Sequence, residues 1–142
     1  MTNSQLNAAD TSPQVPWAHW LLRFAMASVF LYTGVDKFTG SGIQGFASAM
    51  NLPVIIALAV ALGELAIGLL VLAGGWLAGQ RGDVVTRLGA LGAVPILLGA
   101  IFMEHWGQWH FMATPSHPLG GMMFQVTLLL IALYLIAKGN RA

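Results

Sequence analysis

Cysteine is absent from this 142-residue chain. Its absence excludes disulfides, iron–sulfur ligation and thiol chemistry. Charge is nearly as scarce, at 8% of residues, against about 25% in ordinary soluble domains. The formal net charge is +1, so no basic stripe exists to meet phosphates, and nucleic acid is not an expected partner. There is no H-E-x-x-H pair, no nucleotide-binding glycine loop and no nucleophile set beside a base. The chain is therefore not expected to be an enzyme by itself.

What is present is apolar. Hydrophobic residues make up 57% of the chain and come in blocks rather than in alternation, which indicates an integral membrane protein of one domain. The first sixteen residues, MTNSQLNAADTSPQVP, carry no basic region followed by a short apolar core, so no cleaved signal peptide is expected. Their Asn, Gln, Ser, Thr and Pro suit a disordered tail over residues 1–16.

Pro53–Trp76, PVIIALAVALGELAIGLLVLAGGW, is the stretch around which the chain is organised. It has 24 residues and a single charge, Glu64, at its middle. At roughly 1.5 Å per residue it reaches about 36 Å, enough to cross a hydrocarbon core of about 30 Å with some tilt. Its 12 Leu, Ile and Val residues supply roughly 4 to 7 kcal/mol towards insertion, more than the roughly 3 kcal/mol cost of a central charge. Ala57, Ala61, Gly68, Val71 and Gly75 share the Glu64 face, so the carboxyl is expected to point into a helix interface and not into lipid.

Further apolar segments are expected over about 17–35, 84–103 and 119–137, with the central one over 53–77. Helical spacing in Ile43, Phe46, Ala47 and Met50 predicts a short interfacial helix over about 43–51, packed as a lid. Gly79–Arg87 reads as a polar loop. Pro95 is expected to bend its helix, and such a bend can open a pocket. The expected fold is all-α: an integral membrane four-helix up-down antiparallel bundle, domain 17–138. Arg81, Arg87, Lys138 and Arg141 fall on one side and Lys37 on the other, which predicts cytoplasmic N- and C-termini.

In the first segment Arg23, Ala27, Phe30, Gly34 and Lys37 form one narrow stripe. Arg23 could snorkel to the interface or pair with Glu64, whose depth is expected to be similar. The stretch Glu104–Pro118, EHWGQWHFMATPSHP, holds His105, His110 and His117 with Trp106 and Trp109. Their spacing fits no metal motif, and none is assigned. The tryptophans suit a headgroup belt. Alternatively, Glu104, His105, His110, His117 and Trp109 form an outward-facing ligand site, one wall of a pocket for a quinone head.

The ordered set Arg23…Gly34-Val-Asp-Lys37, Phe46…Leu52-Pro53, Glu64…Gly68-Leu-Leu and Gly121…Gln125…Leu128-Leu-Leu resembles the DoxX family. The resemblance implies a multi-pass bacterial inner-membrane protein. It also implies a subunit of a respiratory or redox-stress oxidoreductase complex, serving an electron-transfer partner. By position, Arg23, Lys37 and Glu64 match the family's recurring charges. Where relatives commonly place an acid two residues after the glycine that opens the last helix, this chain has Gly121-Met122-Met123. No intrinsic cofactor is expected; a quinone is the ligand considered. The expected partners are the lipid bilayer, a protein of a membrane redox complex, and further copies of the chain. The alternatives are a quinone-binding subunit using Glu64 and the outer-face histidines, and a small oligomeric transporter.

Overall fold

The computed structural model describes residues 17–115 and 120–140. The expected tail over 1–16, together with His117 and Arg141, lies outside the described residues. Among the described residues all regular structure is helical: α1 (Ala18–Thr39), α2 (Gly42–Ala49), α3 (Val54–Trp76), α4 (Gly79–Met103) and α5 (Met122–Lys138). Two of them, α3 and α4, are long and apolar enough to cross a membrane by length and composition. The 17-residue α5 is shorter but apolar, and α1 carries Arg23, Asp36 and Lys37.

Two boundaries differ from the sequence expectation. Gly79–Arg87 is not a loop; it forms the first turns of α4. Its polar residues are compatible with helix because Asp83 bonds Arg87 one turn on at 2.9 Å. Likewise α1 continues past Val35 to Thr39, and the chain turns only at Gly40. The short helix at Gly42–Ala49 packs on α1 and α3, with Ala47 buried. Asn51 then takes a positive φ of 50° ahead of Pro53, a conformation asparagine tolerates.

Packing runs α1 on α3, α3 on α4 and α4 on α5, with a lighter contact between α1 and α5. Among the described residues the backbones of α3 and α5 do not approach closely. The apolar core joins Met26 and Phe30 of α1, Ile67 and Val71 of α3, Ala90, Ala93 and Leu97 of α4, and Leu128, Ala132 and Leu135 of α5. Small residues set the closest approaches. A methyl group at Gly34 would lie 2.8 Å from the Leu65 side chain, and one at Gly68 would lie 2.6 Å from Leu31. These contacts bring Gly34 opposite Leu65 and Ala27 towards Gly68, so α1 and α3 run antiparallel.

One end of the helix group is tied by a polar network. Arg23, fully buried, donates through Nη1 to the Val71 carbonyl at 2.6 Å and to Thr86 Oγ1 at 2.9 Å. Its Nη2 donates to Asn140 Oδ1. Asn140 in turn donates through Nδ2 to the Gly74 carbonyl at 2.6 Å, and through its backbone N–H to Asp83 at 3.0 Å. Gly139 makes this reversal possible: its φ of +59° lies in the left-handed region, and a side chain there would collide with Asp83. One asparagine thus holds the chain after α5 against α1, α3 and α4.

Replacing Asn140 with alanine removes these bonds and leaves a buried cation less well solvated. Thermal unfolding in detergent is expected to show a loss of about 1 to 3 kcal/mol. Arg81→Ala, at an exposed position at the start of α4, is expected to leave the transition in place.

Candidate functional site

The charges of the membrane segments sort into two places, and the pairing differs from expectation. Glu64 does point inward, at 6% exposure, among the buried Ala57, Ala61, Gly68 and Val71. Its partner is Lys37, whose Nζ lies 2.7 Å from Glu64 Oε2. Arg23 is not in this pair; it belongs to the Asn140 network. The reason is the shift between α1 and α3. With Gly34 against Leu65, the residue facing Glu64 comes from the C-terminal third of α1. Arg23 lies 14 residues N-terminal to Lys37, about 21 Å of helix rise away.

Lys37 is held from several sides. Its ammonium also sits 4.7 Å from the centre of the Phe46 ring of α2, within the range for cation–π attraction. Thr33, one turn before it, is buried on the same face, and its hydroxyl donates to the Phe30 carbonyl. The pair therefore joins α1 to α3 and anchors α2 over both.

Beside the pair lies a cavity of about 630 Å³, a size that suits a small organic ligand. Lys37, Glu64, His105 and Gln125 are its polar lining, with Phe30, Val60, Leu97, Phe124 and Leu128 among the apolar walls. Phe46, Met50 and Leu52, from α2 and the turn after it, cover part of it, and Pro95 and Gly99 border it on α4. Ile56 and Met103 also line the cavity, yet stay 46% and 58% exposed. The cavity is thus open at an apolar rim, which favours access by a lipophilic molecule.

The outer stretch is divided by this geometry. His105 continues the buried α4 stripe of Leu97 and Ile101 at four-residue spacing, and it is buried with its Nε2 3.4 Å from Gln125 Nε2. Glu104 lines the cavity as well. His110 and Trp109 do not, correcting the expectation that they share its wall. His110 Nδ1 lies 3.2 Å from the Met112 carbonyl. Trp109 is exposed, as is Trp106, which stacks on Phe102 with ring centroids 5.0 Å apart. Among the described residues no three His, Asp or Glu side chains gather to hold a metal ion.

Sequence reasoning left Thr33 and Gln125 out of the site, and Thr86 and Asn140 out of the Arg23 network. Gln125 was recoverable from periodicity, since Gln125, Leu128, Ala132 and Leu135 form one buried stripe. Thr86 likewise precedes Gly89, Ala90 and Ala93 on the buried face of α4. Asn140 left no such signal, because it lies beyond the last helix.

If Lys37 and Glu64 stabilise each other as a buried pair, each single loss strands the other charge. Glu64→Leu is expected to destabilise the protein more than Lys37→Met and Glu64→Leu combined. Unfolding of the four variants in a double-mutant cycle is expected to give a coupling of about 1 to 3 kcal/mol.

No curated protein and no solved structure matches the chain. A family model described as DoxX matches residues 18–106. That span covers α1 to α4 with the Lys37–Glu64 pair and His105, and leaves α5 and Gln125 outside. It takes in well over half of the 142 residues, and the chain belongs to the DoxX family.

Proposed function

We propose that this protein is a membrane subunit of a respiratory or redox-stress oxidoreductase complex, and that its cavity receives a lipophilic ligand of the quinone class. In this reading α1, α3, α4 and α5 cross the bacterial inner membrane as an up-down bundle with both termini cytoplasmic. Supporting it, Trp20 and Trp76 meet at one end with centroids 5.5 Å apart, while Trp106 and Trp109 are exposed at the other. Aromatic belts occupy such levels in membranes. Arg81, Arg87 and Lys138 fall at the Trp20 end, and Lys37 is the lysine towards the other.

One observation carries the ligand reading. An open, apolar-walled cavity contains a buried ion pair whose groups can donate and accept hydrogen bonds. A water-soluble ligand would have little reason to enter over Ile56 and Met103. A quinone brings a flat apolar ring for the walls and carbonyl oxygens for the donors. In this reading the electrons belong to a protein partner of the complex.

Gly99 supplies a clean test. It lines the cavity, and a β-carbon placed there meets no other part of the protein within 4 Å, apart from its own helix backbone and chain neighbours. Gly99→Trp is expected to leave thermal stability unchanged or raised, because glycine is a poor residue inside a helix. It should also weaken decylubiquinone binding in nanodiscs at least tenfold, measured by calorimetry. Unchanged affinity would remove the cavity from the account. Affinity purification from native membranes tests the complex: recovery without a redox-active protein would remove the subunit role.

A further inference from the structure

Resting on the quinone-class reading, we infer that the cavity recognises a ring with oxygen functions at both ends. Lys37 donates to one oxygen, and the Gln125 amide, steadied by His105, donates to the other. Lys37 comes from α1 and Gln125 from α5, neighbours in the helix group, and both side chains line the cavity.

Across α3 and α4, Gly74 abuts Thr86 and Gly63 faces Ile96, so Glu64 lies near the level of Ile96 and of Pro95, whose ring cannot donate the usual backbone bond. On α5, the Gln125 amide reaches His105, just past the end of α4. Lys37, Glu64, Pro95, His105 and Gln125 all line the cavity. The cavity, at about 630 Å³, is large enough for one such ring.

Each donor has capacity for a ligand. The Lys37 ammonium carries three N–H groups, of which one is spent on Glu64 at 2.7 Å and one reaches the Thr33 carbonyl at 3.5 Å. The Gln125 amide carries two, and His105 lies 3.4 Å from its nitrogen. A ligand with a single carbonyl would engage one end and leave the opposite buried donor dry, which is costly. The site should accordingly prefer a 1,4-dione to a one-carbonyl ring of similar size and tail.

The test compares a decyl-substituted 1,4-benzoquinone with the corresponding cyclohexenone, titrated into the full chain in nanodiscs. The dione should bind at least tenfold more tightly than the cyclohexenone. Gln125→Leu should weaken the dione roughly three- to tenfold, and Lys37→Met with Glu64→Gln roughly tenfold or more, in keeping with neutral and charged donors. The paired substitution avoids leaving a lone charge, and a retained thermal transition shows that it folds. The cyclohexenone should respond to one of these changes and not to both. Equal affinity for the two ligands, or dione binding indifferent to Gln125→Leu, would overturn two-ended recognition while leaving a quinone-class pocket standing. Failure of both ligands to bind the unaltered protein would overturn the pocket reading itself, and this inference with it.

Discussion

A charge inside an apolar helix group must be met by another group, and the architecture follows from how two such demands are satisfied. Towards one end, Lys37 closes on Glu64 at 2.7 Å and ties α1 to α3. Towards the other, Arg23 is met by a carbonyl, a hydroxyl and an amide oxygen from three different segments. Low dielectric strengthens each contact and penalises each vacancy. The two ties suppress sliding between helices, because moving α1 along α3 by one turn would break both.

Shape does the rest. Leu31 and Leu65 lie over Gly68 and Gly34, and Val71 packs against Gly89. In a lipid setting this close approach, and not the expulsion of water, is what holds helices together. The same economy fails in one region. Beside Pro95 of α4, side chains do not fill the space, and the cavity results. The polar groups bordering it are also those that fasten α1, α2 and α3.

Much of this was legible beforehand. The inward face of Glu64 followed from Ala57, Ala61 and Gly68 at helical spacing, and these residues are buried with it. The α1 stripe from Arg23 to Lys37 is likewise the face turned inward, with Arg23, Ala27, Phe30 and Gly34 buried. The short helix ahead of Pro53 was visible in its apolar spacing. The start of α4 was obscured because glycines and charges in Gly79–Arg87 read as a turn, although Asp83 and Arg87 form a good helical pair. The outer histidines looked equivalent in sequence, yet His105 faces the cavity and His110 does not.

By itself the sequence determined which residues form helices and which side of each helix turns inward, since both are properties of a few consecutive turns. It also determined membership of the DoxX family over residues 18–106. The tertiary structure alone decided that Glu64 belongs to Lys37 and Arg23 to Asn140, and that Gln125 lines the same cavity as the ion pair. Those pairings depend on the axial shift between neighbouring helices. That shift is set by the sum of many glycine and leucine contacts spread along two chain segments, and no local pattern records it.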